Sequence, residues 1–272
     1  MEPRTKNKMP AIDPAALRAR TAVLTERVYD PPALAAGVRA LLDDYADHTH
    51  RASPKLTGST PSNSFKTPAP VVRAIVSALR GFAKTSPHAA LDMVKAIWAG
   101  GSREERRIAS ELLGRAALLV PDKTLALVES LLLTLESGET TDALAEHGFG
   151  PLMLANPAMH LPNARRWAQS PHKWTRRFGL SALKPLLRDK KWDNVPGALD
   201  VVRGVMADPE PEVRAAVSSV LRDLIPKSPV EAGRFLREHA ERGDHNTHFI
   251  IRTALASLTP TTQTEIARIM HS

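Results

Sequence analysis

The chain has 272 residues, 43% of them apolar and 24% charged, a globular balance rather than a disordered one. Its 37 lysines and arginines exceed its 29 aspartates and glutamates, giving +8 at neutral pH and a pI near 10.0, which favours a polyanionic partner. There is no cysteine, so disulfides, thiolate zinc sites and cysteine nucleophiles are excluded.

Met1 to Pro10 is polar and basic and has no apolar core of signal-peptide length. No later segment offers about 18 consecutive apolar residues, so no membrane span is expected. Pro14 to Tyr29 and Pro32 to Tyr45 have the spacing of two amphipathic helices. His48 to Pro68 is rich in Ser, Thr and Pro, and carries Arg51, Lys55 and Lys66 against no acid. It reads as a loop, more readily a solvated linker than a DNA contact. The ten histidines are scattered, and His48 with His50 in this stretch reads as incidental, so neither metal nor cofactor is expected.

From residue 69 onward the chain repeats itself. Arg73 opens Arg-Ala-Ile-Val-Ser-Ala-Leu, Arg107 opens Arg-Ile-Ala-Ser-Glu-Leu-Leu, and Arg177 opens Arg-Phe-Gly-Leu-Ser-Ala-Leu. Arg214 and Arg252 open two further segments of the same pattern, so the steps are 34 (73 to 107), 70 (107 to 177), 37 (177 to 214) and 38 (214 to 252). Seventy is two steps of 35 and predicts a unit centred on position 142, which is Asp142. Such periods mark paired-helix repeats, each unable to bury its apolar side alone. Within Val213 to Leu224 the apolar residues recur every three or four positions, as one buried helical face requires. Dipeptides such as Ser86-Pro87, Asn156-Pro157, Ser170-Pro171, Asp208-Pro209 and Ser228-Pro229 are expected to open helices, because proline at a helix start lacks only an N–H that has no partner there. The predicted fold is all-α: a HEAT-like α-solenoid with a concave basic face. It forms one domain over 1–272, with N-terminal helices and a polar loop at 1–68 and regular repeats at 69–272.

Between Arg165 and Lys191 nine Lys or Arg residues face a single acid, Asp189, with Trp167, Trp174 and Trp192 among or beside them. A charge run is commonly a solvated helix face, and such tryptophans are commonly core anchors. Repeat helices nevertheless align cations at matching positions, so a groove for a phosphate backbone is the favoured reading. Arg166, Lys173, Trp174, Arg176, Lys184 and Arg214 are the candidate contacts. Asp208 is positioned to pair with Arg214 between repeats. Asp142 stands where other units have arginine, one repeat before Arg177. Either the two form a plain ion pair, or the carboxylate stabilises a cationic sugar while a base–sugar bond breaks, or it orients water.

The chain resembles the AlkD-like DNA alkylation repair family, HEAT-like glycosylases acting on alkylated purines, from about Phe65 to Leu258. The resemblance rests on Phe65-Lys66-Thr67-Pro68 through Arg73, Glu104-Glu105-Arg106-Arg107-Ile108-Ala109, Thr141-Asp142-Ala143-Leu144, Arg166-Trp167-Ala168-Gln169-Ser170-Pro171-His172-Lys173-Trp174-Thr175-Arg176-Arg177, and Val217-Ser218-Ser219-Val220-Leu221-Arg222. It implies a concave basic face on duplex DNA, with Asp142 on the essential carboxylate position and Arg177 on the supporting one. It also implies cationic N3- or N7-alkylpurine lesions handled without a deep base pocket. Active members place an aromatic residue four before the Asp and another two before the Leu of Val-Leu-Arg; this chain has Gly138 and Ser219 there. Hydrolysis of the N-glycosidic bond of alkylated purines is the expected activity. A non-catalytic binder of damaged or branched DNA and a HEAT-type protein-interaction scaffold are the alternatives. A monomeric, cytoplasmic, nucleoid-associated protein with no membrane contact is expected.

Overall fold

The computed structural model describes residues 12–46, 63–241 and 244–271, and every regular element among them is helical. The N-terminal ten residues and most of the polar stretch, with Arg51, Lys55, His48 and His50, lie outside the described residues. Among the described residues no helix is long and apolar enough to cross a membrane. The chain divides into two compact units, one ending at Ala116 and the other beginning at Ala117.

In the first unit, helix α1 (Pro14–Thr25) starts on Asp13, which accepts the Ala15 N–H at 2.8 Å, and α2 (Pro31–Asp44) starts on Asp30, which accepts that of Ala33 at 3.0 Å. Helix α1 ends at Thr25 instead of near Tyr29, and the following turn still carries Val28 into the core. Helices α3 (Ala69–Thr85), α4 (Pro87–Ala99) and α5 (Arg103–Ala116) follow. Helix α3 packs on α1 and α5, while α2 packs on α4, the two-row arrangement of stacked helix pairs. Val71, Ile75, Leu79 and Ala83 on α3 all face the core, four residues apart.

The second unit begins with α6 (Pro121–Leu132), followed by a continuous helical run of α7 (Gly138–Ala143), a π-helical turn (Leu144–Phe149) and α8 (Gly150–Ala155). Pro151 sits just after the wide turn and has no N–H for a carbonyl one α-turn back, a setting that favours local departure from α geometry. Helices α9 (Pro157–Ala168), α10 (Lys173–Ser181), α11 (Lys184–Arg188), α12 (Val195–Arg203), α13 (Pro211–Leu224), α14 (Pro229–Ala240), α15 (His245–Leu255) and α16 (Pro260–Ile269) complete it. One row runs α7, α10, α13, α15 and the other α9, α12, α14, α16, each helix packing on the next.

The predicted repeat positions lie at corresponding places: Asp142, Arg177, Arg214 and Arg252 all fall on helices of the first row. Proline opens α4, α9 and α14 as expected, but Pro171 and Pro209 do not open helices; α10 starts at Lys173 and α13 at Pro211. Before α13 the Asp208 carboxylate accepts the Glu210 N–H at 2.9 Å, which holds residues 208–210 in a turn.

The core around α10 is aromatic. Phe149, Trp167 and Phe178 meet with centroids 5.0–6.0 Å apart, and His160 packs edge-on to Phe149. Gly179 makes this crossing possible. A Cβ on it would lie 2.5 Å from the Ala164 carbonyl oxygen and 2.6 Å from the Ala168 nitrogen, both backbone atoms of α9. Glycine brings α10 close enough to bury the full aromatic cluster.

Candidate active site

Asp142 projects from α7 toward α10, where Arg177 meets it in a two-point bond: Nε to Oδ1 at 3.1 Å and Nη2 to Oδ2 at 2.7 Å. The third guanidinium nitrogen, Nη1, donates to the Glu212 carbonyl oxygen on α13 at 2.7 Å. One arginine therefore ties together three successive helices of the row. Ser181, four residues beyond Arg177 and on the same helical face, donates its hydroxyl to Oδ1 at 2.6 Å. Lys184 Nζ lies 3.7 Å from Oδ2 and 3.3 Å from a Glu146 oxygen, bridging two carboxylates. Arg188 pairs with the other oxygen of Glu146.

A carboxylate has about four acceptor directions, and three hydrogen bonds, two from Arg177 and one from Ser181, use most of them at Asp142. Its side chain is still 23% exposed and that of Arg177 16%, so the pair borders water without being immersed in it. A planar guanidinium gripping both oxygens fixes the orientation of the carboxylate.

Gly138 lies one helical turn before Asp142. A Cβ there would sit 3.0 Å from Arg177 Cζ and 3.1 Å from its Nε, so the guanidinium rests against the bare backbone of this glycine. Where active relatives are expected to present an aromatic ring, this chain presents the flat cation of its own arginine. Ser219 is half-buried on α13, and its neighbour Ser218 hydrogen-bonds Thr253 on α15 at 2.7 Å.

The remaining predicted contacts divide by location. Lys173 sits 3.2 Å from both Glu210 and Glu212, and its ammonium lies 5.2 Å from the centre of the half-buried Trp174 ring. Glu212, mainly, and Glu210 raise the Lys173 pKa by hydrogen bonding to its charged form. Burial pushes the Glu212 carboxyl up, but its own backbone N–H, Lys173 and Arg177 together hold it below the ordinary carboxylate value. Arg176 turns away from Asp142. It grips Asp208 through Nε at 2.6 Å and Nη2 at 3.1 Å, and donates Nη1 to the carbonyls of Ser170 and Pro171.

The expected Asp208–Arg214 pair is thus replaced by Asp208–Arg176. Arg214 instead donates to the Pro209 carbonyl and the Asn246 side chain, each at 2.8 Å. Arg166 pairs with Glu129 on α6. The structure brings Arg177 and Lys184 to Asp142, connects Lys173 to them through Glu212, and leaves Arg166, Arg176 and Arg214 elsewhere. Ser181 and Glu146, which complete the site, went unidentified in the sequence. Their signal was the four-residue spacing from Arg177 and from Asp142.

Other family-like residues have structural work. Glu104, buried in α5, accepts from the Ser64 hydroxyl at 2.7 Å and the Phe65 N–H at 3.2 Å. Glu105 accepts from Arg39 and from the Ser102 N–H. Thr67 donates to the Leu42 carbonyl at 2.8 Å. These contacts fix residues 64–67, including Lys66 in a left-handed conformation with φ of 54°.

In the second unit the row α7, α10, α13, α15 therefore carries an oriented carboxylate among cations. The chain as a whole matches the family described as DNA alkylation repair enzyme over residues 38–258 and belongs to it. Membership makes DNA the implied partner. No curated protein and no solved structure matches the chain.

Proposed function

We propose that this protein binds duplex DNA along the row α7, α10, α13, α15 and hydrolyses the N-glycosidic bond of cationic alkylated purines. On this reading the helix pairs are HEAT-like repeats of an α-solenoid whose first-row helices supply a concave basic face. The observation that carries the proposal is the Asp142 carboxylate, oriented by Arg177 and Ser181 on that row in a chain of the DNA alkylation repair family.

The chemistry asks little of the protein. As the bond from C1′ to the base nitrogen breaks, its electron pair neutralises the cationic base, which needs no added proton to leave. Positive charge collects on C1′ and the ring oxygen, where a fixed anion lowers the barrier. Water then adds to C1′ and loses a proton, leaving free base and an abasic sugar. Arg177 covers Asp142. A DNA phosphate presents the same two-point acceptor to a guanidinium, so phosphate binding at Arg177 would draw it off and open Asp142 to the sugar.

The test is release of free 7-methylguanine from methylated duplex DNA. Wild type should release it, and Asp142→Asn should bind that DNA and release none. Binding without release by wild type refutes the hydrolytic reading for this substrate. Gly138 and Ser219 favour a second reading, a binder of damaged DNA that does not cut, because they place no ring where a cationic lesion would gain about 0.5–2 kcal/mol. DNA affinity that does not fall as salt rises would instead point to a protein-interaction scaffold.

A further inference from the structure

The cations on α10 are engaged by neighbouring carboxylates: Lys173 by Glu210 and Glu212, Arg176 by Asp208, and Arg177 by Asp142. Farther along the same row the balance reverses. Arg214 on α13 donates to a carbonyl and an amide, and Arg252 on α15 donates to the His248 carbonyl. Neither these nor the exposed Arg222 on α13 has a carboxylate partner among the described residues. Helix α15 contains no acid within its span. Helix α13 carries Glu212 and Asp223 beside Arg214 and Arg222, so the row's positive charge without an acid on its own helix is that of Arg252 on α15.

An aromatic ring stands beside Arg214 and about one turn before Arg252. Phe249 on α15 is 46% exposed, although a buried position would save its apolar surface from water. The Arg214 guanidinium lies over it, with Cζ 5.3 Å from the ring centroid. Asn246 fixes that guanidinium from the preceding turn of α15, and the buried Arg214 Nε has no partner. Ser218 and Thr253 join the two helices one turn farther on. An exposed ring with a guanidinium already over it, and Arg252 about one turn farther along the same helix, has the chemistry of a nucleic-acid stacking platform.

We infer that Phe249 and Arg214 form a second DNA contact, separate from Asp142, that stacks an unpaired base while Arg222 and Arg252 hold the adjoining phosphates. This rests on the DNA-binding reading above and adds to it a preference for DNA with an unstacked base. A fully paired duplex keeps its base faces covered and can offer only its phosphates to this surface.

The test measures fluorescence anisotropy with two duplexes of the same sequence, one fully paired and one carrying a single-nucleotide bulge. Wild type should bind the bulged duplex more tightly. Phe249→Leu keeps the apolar bulk but removes the π face. It should weaken binding to the bulged duplex by roughly 5- to 150-fold and to the paired duplex by less than about twofold. Phe249→Trp should keep the preference. Arg222→Gln and Arg252→Gln should each reduce the slope of log affinity against log salt by about 0.9.

Equal affinity of wild type for both duplexes, or an unchanged preference in Phe249→Leu, overturns the platform while leaving the DNA-binding reading intact. Unchanged salt slopes overturn the role of the two arginines. Absence of wild-type binding to either duplex overturns both readings together.

Discussion

Replacing Arg177 by alanine removes two bonds to Asp142 and one to the Glu212 carbonyl. Each charge-assisted bond contributes about 1.5–3 kcal/mol when intact, so a simple sum overstates the loss. Asp142 would keep the Ser181 hydroxyl at 2.6 Å and Lys184 at 3.7 Å, and water already reaches about a quarter of its side chain. The cost should fall between that of an exposed pair, about 0–1 kcal/mol, and a broken buried pair, about 3–5 kcal/mol. We expect a loss of about 2–3 kcal/mol for Arg177→Ala. A double-mutant cycle with Asp142→Ala should give a coupling of about 1–2 kcal/mol, read from urea midpoints at constant m-value. Gly138→Ala places a methyl group against the guanidinium and should reduce that coupling. A coupling below about 0.5 kcal/mol would show that the pair is not a structural unit and would refute the reasoning.

Three further outcomes follow from the packing and charge of the second unit. Gly179→Ala drives a methyl into the backbone of α9 and should lower stability by about 2–3 kcal/mol in urea unfolding; a neutral effect would mean that the crossing relaxes freely. Asp208→Asn weakens the two-point pair with Arg176, whose partners are 15% and 5% exposed, and should cost about 2–3 kcal/mol by the same measurement. DNA affinity of that variant at a temperature where it stays folded should be near wild type, and a large loss would move Arg176 into the binding surface. Burial holds the His160 imidazole below its ordinary 6.5. As pH falls through that value the unfolded chain takes up a proton the folded chain refuses, so stability is lost until pH passes below the folded pKa. His160→Gln should flatten the decline in stability as pH falls through about 6.5, and a steeper decline in the variant would contradict the sign.

Much of the architecture is legible because it is local. Apolar residues every three or four positions define the buried faces of α3 and α13, and recurring Arg73, Arg107, Arg177, Arg214 and Arg252 mark corresponding helices. Asp142 declares itself as the residue that breaks that series. Prolines are read correctly where they open a helix, as at Pro87 and Pro157. They are misread at Pro171 and Pro209, because residues immediately after them turn first. The turn at Asp208 depends on side-chain bonds that spacing alone does not reveal.

The destination of the charges belongs to tertiary structure. Nine cations between Arg165 and Lys191 look free beside one acid in the sequence, but packed helices bring carboxylates to six of them: Arg166, Lys173, Arg176, Arg177, Lys184 and Arg188. Arg177 meets Asp142 35 residues back, Arg176 meets Asp208 32 residues on, and Lys173 meets Glu210 and Glu212 beyond it. A Coulomb interaction depends on distance in space and on local exposure, and neither follows from a count of charges along a strand of sequence. By itself the sequence determined the helices, their period and the isolated aspartate, since these depend on neighbours within a few turns. Only the packing of α7, α10, α13 and α15 decided that Arg177 covers that aspartate while Arg214, Arg222 and Arg252 have no carboxylate partner among the described residues, because the choice of ion partner is made where separate helices meet.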